Sequence, residues 1–254
     1  MVDRALRGIG VLVTRPRAQA SELIAAIEAE GGEAIAFPVL EIAPRRPELV
    51  EADANRLEQP DIVIFVSANA VRHGLQFAGD AAICAIGPAT AAAIEESGFA
   101  VSVRPKDGFD SEHLLAEPAL QDVSGQNVRI IRGDDGRELL ADTLRQRGAN
   151  VEYLSVYERR LPQYRESELQ ELASRWQAGD IDFIAVMSVA SLANLLELLP
   201  AACVERLGDS PLVTPAARVI KEAHNRIPGP RHKLADGPQA SEMVRAIVEL
   251  AQSG

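Results

Sequence analysis

Short apolar runs separated by helically spaced apolar residues organise this chain. Runs such as Ile62–Val66 show little period-two alternation, as strands buried on both faces do. Strands are predicted at 9–13, 33–37, 61–66, 82–86, 100–103, 127–131, 150–154, 181–187, 211–213 and 231–235. Among them lie the patterns Ala20–Leu23–Ile24–Ile27, Leu140–Leu144, Leu192–Leu195–Leu196–Leu199 and Met243–Ile247–Leu250, each an apolar helical stripe. Strand and helix alternating in this way predict parallel sheets covered by helices.

The pattern is duplicated. Residues 8–44 recur at 125–161 with a shift of 117, aligning Gly8 with Gly125, Arg15 with Arg132, Gly31 with Gly148 and Glu41 with Glu158. Gly31 and Gly148 fall at the helix C′ position, where a left-handed backbone favours glycine. Arg15 and Arg132 fall just past the carboxyl ends of apolar strands, where open α/β sheets bind ligands. A longer unit repeats as well: Asp61–Ser67 resembles Asp182–Ser188, Gly87–Thr90 resembles Thr214–Ala217, and Ser111-Glu112 resembles Ser241-Glu242, each opening a helix by N-capping. Two similar lobes with a cleft are the expectation.

The bulk numbers narrow the function. At 254 residues and 47% hydrophobic, the chain has the material for two ordinary domains, and with 4% aromatics the packing rests on Ala, Leu, Val and Ile. A net charge of −11 argues against nucleic acid or an anionic membrane as partner. The opening MVDRALRGIGVLV has no signal-peptide core, and the apolar runs are too short to span a bilayer, so a soluble, cytoplasmic protein is expected, with a monomer as the default. Cys84 sits in the apolar run AAICAI and reads as a small buried hydrophobe; with Cys203 it forms neither a disulfide framework nor a metal site. The four histidines lack metal-ligand spacing, and GxGxxG, GxxxxGK[ST] and GxSxG are absent.

Four strand ends lead through hydroxyl and small residues into helices: Thr14-Arg15-Pro16, Ser67–Ala70, Ile86–Thr90 and Ser188–Ser191. Each alone is explained as a helix cap, but four on duplicated sheets favour binding of anions by free backbone N–H groups. Arg15, Arg17, Arg132 and Arg137 are candidates for carboxylate contacts. Arg45-Arg46 and Arg159-Arg160 read as solvated, and Tyr153 and Tyr164 as weaker candidates for chemistry than Tyr157.

In order along nearly the whole chain, VLVTRP, FPVLEIAP, IVIFVSANAV, IGPATA, GFDSEHLL and VYERRLP followed by MSVASL resemble the uroporphyrinogen-III synthase family. The resemblance implies an α/β fold of two similar flavodoxin-like parallel-sheet domains, joined by a two-stranded antiparallel connector, with exchange of chain segments. Domain one would be 1–37 plus 162–254 and domain two 44–153, with connectors 38–43 and 154–161. The implied reaction cyclises hydroxymethylbilane to uroporphyrinogen III with loss of water and inversion of ring D, with no metal and no organic cofactor. The substrate is a linear tetrapyrrole with eight carboxylates, handed over by hydroxymethylbilane synthase. Tyr157 is the implied catalytic residue, as general acid toward the leaving hydroxyl. With the helix-start loops, the expected substrate-binding set is Thr14, Arg15, Ser67, Asn69, Gly87, Thr90, Ser111, Arg132, Gly133, Ser188, Ala190 and Thr214. The chain departs from the family pattern at Ala216 and Ala217, where hydroxyl residues are common, leaving backbone groups or Thr214 to serve.

Two other readings share the lobed pattern. One is a cytoplasmic small-molecule binding or sensor protein without catalysis; it lacks a DNA-binding module. The other is a flavin protein, disfavoured by the scarcity of aromatics near the strand-end loops.

Overall fold

Strands and helices alternate along the residues that the computed structural model describes, 4–134 and 136–253. In chain order the strands are β1 (Gly10–Val13), β2 (Glu33–Ala36), β3 (Glu41–Pro44), β4 (Ile62–Phe65), β5 (Ala82–Ala85), β6 (Asn127–Gly133), β7 (Asn150–Arg160), β8 (Phe183–Ala185), β9 (Leu212–Thr214) and β10 (His232–Leu234). The α-helices are α1 (Arg17–Ala29), α2 (Pro47–Arg56), α3 (Ala68–Gly74), α4 (Pro88–Glu96), α5 (Ser111–Ala116), α6 (Leu139–Gln146), α7 (Glu166–Ala178), α8 (Val189–Leu198), α9 (Ala201–Val204), α10 (Ala217–Arg226) and α11 (Ala240–Ala251). None is long and apolar enough to cross a membrane.

The chain divides into two units. Unit one comprises Met1–Glu41 and Arg160–Gly254, and unit two Ile42–Arg159. Sheet one runs β10-β9-β8-β1-β2 with every neighbouring pair parallel. Sheet two runs β3-β7-β6-β4-β5, and β7, β6, β4 and β5 are parallel to one another.

Each sheet is apolar on both faces because each is covered on both. In unit one, Leu12 packs with Trp176, Leu192, Leu195 and Val219 from α7, α8 and α10. Its neighbours Val11 and Val13 turn the other way, to Leu23, Ile27, Met243 and Ile247 from α1 and α11. In unit two, Val63 and Phe65 join Val71 and Ile94 from α3 and α4, while Ile64 joins Leu114 and Leu144 from α5 and α6. Each fully buried aliphatic side chain contributes about 1.5–3 kcal/mol.

The two copies of the β-α-β unit end their helices alike. Gly31 (φ +83°) and Gly148 (φ +85°) are left-handed at C′ of α1 and α6. The Gly31 and Gly148 N–H groups donate to Glu28 O and Arg145 O, and the next N–H groups, of Gly32 and Ala149, donate to Ile27 O and Leu144 O. This pair of bonds is the Schellman arrangement, which satisfies carbonyls that the helix end would otherwise orphan.

Four expectations need correction. The predicted strand 100–103 is reduced to a single bridge, Cys84 with Val103; Pro105 follows closely and has no N–H to extend the ladder. The strand predicted at 150–154 continues to Arg160 as one 11-residue strand. Ser111 and Ser241 do not cap their helices: Asp110 accepts from His113 N at the start of α5, and Gln239 is the N-cap of α11. Arg45 is not solvated. Its guanidinium donates to Ser155 O at 2.9 Å and to Asp53 at 3.2 Å, tying the start of α2 to β7.

Both thiols are buried, Cys84 at 0% and Cys203 at 1% exposure, and burial pushes the Cys84 thiol up to about 12 and raises Cys203. Neither should react with a thiol-specific reagent at pH 8 in the native protein, and both should react in denaturant; native labelling would contradict the packing. Gly148→Ala should lower the unfolding free energy by about 1–2 kcal/mol in urea titration, the cost of a left-handed Cβ.

Candidate functional site

Order of connection decides where a parallel sheet has an opening. In sheet two, β4 and β6 are neighbours, but the chain leaves β4 toward β5 and leaves β6 toward β7, on opposite sides. Helix α3 then covers one face and α6 the other, so a crevice opens at the carboxyl ends of β4 and β6. A hollow of about 320 Å³ lies there, lined by Val66, Ser67, Ile86, Asp110, Ser111, Ile130, Arg132, Gly136, Arg137, Leu140, Tyr153, Tyr157 and Arg159. That volume is at the small end of ligand pockets, roughly 300–1,000 Å³, and accepts part of a large ligand.

Tyr157 reaches this hollow through a local irregularity. Arg132 pairs with Ser155 and Gly133 with Tyr157, so Val156 is an extra residue, a β-bulge. Strict alternation would turn residue 157 to the α6 face with Tyr153. Instead Leu154, Val156 and Tyr157 all pack on the α3 face, while Tyr153 packs on the α6 face. The Tyr157 ring lies against the end of β6, where a Cβ on Gly133 would come within 2.6 Å of Tyr157 Cε2. The missing side chain lets the phenol cross the strand end, and its hydroxyl shares a hydrogen bond with Ser67 Oγ at 3.3 Å. Tyr157 is 3% exposed. Ser67 is itself anchored, accepting from Ala70 N at 3.0 Å as the N-cap of α3.

The lining is locally positive within an acidic protein. Arg132, only 8% exposed, belongs to β6 itself rather than to the loop past it, and points with Val128 and Ile130 toward α6. Its guanidinium donates to Glu138 Oε1 at 3.1 Å and stands 4.5 Å over the Tyr153 ring. The Tyr153 hydroxyl donates to Glu138 Oε2 at 2.7 Å; burial, then this bond, push its pKa up to about 12. The same two bonds, from Tyr153 first and Arg132 second, hold the Glu138 carboxyl below its usual range. Arg137 and Arg159 also line the hollow, and Arg137 stands 3.6 Å from Glu112. The backbone N–H of His113 holds the Asp110 carboxyl low.

Of the sequence candidates in unit two, Ser67, Ser111, Arg132, Arg137 and Tyr157 therefore line one hollow, and Gly133 lies under the Tyr157 ring. Asn69 sits in the first turn of α3, accepting from Arg72 at 3.4 Å. Gly87 and Thr90 open α4, and Gly87 lines a separate hollow with Arg104, Lys106 and Phe109. Glu138 and Arg159 escape sequence reasoning as site residues, and Tyr153 ranks there below Tyr157. Tyr153 precedes Tyr157 by four, a spacing that signals one strand but not which face.

Unit one has its own switch point, at β1 and β8. Thr14 Oγ1 donates to Ala185 O at 2.7 Å, pinning the end of β1 to β8 rather than capping α1. Arg15 donates to Pro238 O at 3.4 Å. Ser188 caps α8 by accepting from Ser191 N at 3.1 Å, with Ala190 exposed in the first turn. Buried Thr214 ends β9, and its Oγ1 accepts from Ala216 N at 3.3 Å. Thr14, Arg15, Ser188, Ala190 and Thr214 thus occupy the carboxyl edge of sheet one.

The chain resembles known proteins in both sequence and fold. The family model described as uroporphyrinogen-III synthase HemD matches residues 21–228. The chain is 33% identical over 202 residues to uroporphyrinogen-III synthase of Escherichia coli, covering 76% of this chain and 80% of that one. It is 34% identical over 203 residues to the enzyme of Salmonella typhimurium, with the same two coverages. Among solved structures, uroporphyrinogen-III synthetase of Helicobacter pylori superposes with a TM-score of 0.63 at 16% identity, covering 95% of this chain and 99% of that one. A mutant uroporphyrinogen III synthase of Thermus thermophilus gives 0.57 at 20% identity, with 97% and 100% coverage. At these identities the structural likeness speaks for the fold.

The two serine caps should be energetically equivalent despite their different units. Ser67→Ala and Ser188→Ala should each lower the unfolding free energy by about 1 kcal/mol; no change in either denaturation curve would contradict the capping bonds.

Proposed function

The chain belongs to the uroporphyrinogen-III synthase family, and on that premise we propose that it closes hydroxymethylbilane to uroporphyrinogen III at the carboxyl edge of sheet two. It is a cyclising lyase-type enzyme. The observation that carries the local assignment is the Tyr157 hydroxyl, 3.3 Å from Ser67 Oγ in a hollow that three arginines also line.

Tyr157 acts as general acid. Its hydroxyl proton passes to the leaving hydroxyl of the bilane, which departs as water and leaves an azafulvene cation. Ser67 Oγ already accepts from Ala70 N, so its own proton is available to the phenolate oxygen that results. The substituted carbon of ring D then attacks, giving a spiro intermediate that fragments and recloses with ring D inverted; the proton lost on reclosure balances the one given up. Arg132, Arg137 and Arg159 meet substrate carboxylates by charge-assisted bonds. In unit one, Thr14, Arg15, Ser188, Ala190 and Thr214 belong to the same reading as substrate-binding positions, as do Asn69, Gly87, Thr90, Ser111 and Gly133 in unit two.

The chemical demand is selectivity, because the activated bilane also closes without inversion. A ~100-fold preference for the inverted isomer needs about 2.7 kcal/mol of differential barrier. Holding the chain folded supplies that through orientation rather than through one indispensable side chain. Spontaneous closure also favours a short transit from hydroxymethylbilane synthase. The strand orders further support segment exchange: domain one as 1–37 plus 162–254, domain two as 44–153, and 38–43 with 154–161 as a two-stranded antiparallel connector.

Hydroxymethylbilane incubated with the protein should give type III uroporphyrinogen in excess of the spontaneous type I; type I alone would refute the assignment. Tyr157→Phe should lower kcat by roughly 10²–10⁴, the usual contribution of a positioned general acid, with an unaltered far-ultraviolet spectrum. Unchanged kcat would remove Tyr157 from the proton transfer.

A further inference from the structure

The Arg132, Tyr153 and Glu138 cluster has an asymmetry that points to a ligand. Arg132 and Tyr153 are held on adjacent strands, β6 and β7, and both line the hollow. The Arg132 side chain is only 9% exposed, whereas Glu138 is 56% exposed. A buried guanidinium must be hydrogen-bonded or paired, since an unsatisfied buried charge is strongly unfavourable; Arg129, buried to a similar degree, donates to the Glu58 and Phe77 carbonyls, whereas Arg132 turns to an anion. Glu138 supplies that anion. It is the N-cap residue of α6, yet its side chain makes no cap bond. Its carboxylate is used elsewhere, with Oε1 accepting from Arg132 at 3.1 Å and Oε2 from Tyr153 at 2.7 Å.

One oxygen on a guanidinium and the other on a phenol is the pattern with which this pair would seize any carboxylate. The donors are preformed on strands, and the acceptor is an exposed side chain at a helix start. We propose that Glu138 is an internal surrogate for a substrate carboxylate: it occupies the Arg132–Tyr153 subsite when that is empty and is displaced by an acetate or propionate arm. The surrogate keeps the buried guanidinium paired in the free protein and makes each substrate arm compete for it. This inference rests on the cyclisation of an octacarboxylate proposed above.

The test compares wild type, Glu138→Gln, Arg132→Gln and the double variant. It measures kcat and KM with hydroxymethylbilane, and Kd for uroporphyrin III as an unreactive octacarboxylate. Glutamine retains the shape but is a weaker, uncharged competitor. Glu138→Gln should lower KM and Kd by roughly fivefold, with kcat changing less, as loss of a partly exposed ion pair predicts. Arg132→Gln should raise both by roughly tenfold or more. Adding Glu138→Gln to Arg132→Gln should then have no further effect. An increase in KM for Glu138→Gln would show instead that Glu138 orients Arg132. An unchanged KM would show that the ion pair does not compete with substrate. Either result overturns the surrogate role, while type III product from the wild type would leave the cyclisation standing; its absence would refute that first.

Discussion

A parallel sheet covered by helices on both faces has no wet face, so its polar chemistry is driven to the strand ends. Both sheets here obey that constraint: alternate residues of β1, and of β4, bury against helices on opposite sides. What distinguishes one strand end from another is the direction in which the chain departs. Where neighbouring strands depart oppositely, as β4 and β6 do, a crevice is left at their carboxyl ends.

Within that opening, the placement of Tyr157 depends on two local features acting together. The bulge at Val156 turns the tyrosine off the α6 face, and Gly133 leaves the end of β6 bare so that the ring crosses it. The same bulge separates the two tyrosines of β7 into different roles. Tyr153 stays on the α6 face to support Arg132, and Tyr157 is carried over to Ser67. A single extra residue thus brings the Tyr157 phenol and the Arg132 guanidinium into one hollow from a single pair of strands.

Features that depend on local backbone demands were legible in the sequence. Gly31 and Gly148 end their helices as left-handed residues, and Ser67 and Ser188 cap theirs, because these roles are decided within a few residues. Most strand positions were legible too, since burial on both faces requires uninterrupted apolar runs. Features set by distant partners were not. Nothing near Arg45 announces Ser155 and Asp53, and Arg132 and Glu138 meet only once β6 and α6 are packed. The bulge at Val156 depends on the register with β6, which lies outside the pattern of β7 alone. The loss of strand 100–103 has a similar origin: an edge position followed by proline has too few ladder bonds to persist. Serines at 111 and 241 looked like caps because they open helices, but an acidic or amide residue one or two positions earlier takes the role.

Net charge and local charge oppose each other. The protein carries −11 overall, yet three arginines converge on the hollow in unit two. The acidic surface does not forbid an anionic ligand, because near charges outweigh distant, screened ones and the Arg132 guanidinium is largely buried. The site is therefore defined by contact geometry rather than long-range attraction, and its key contact is the phenol lying over a bare strand end. A double-mutant cycle on kcat with Gly133→Ala and Tyr157→Phe measures that contact directly. The account predicts that Gly133→Ala lowers kcat on the order of tenfold or more in the wild-type background by displacing the ring, and causes little further loss once the hydroxyl is gone. Equal losses in both backgrounds would contradict it, because Gly133 would then act independently of Tyr157.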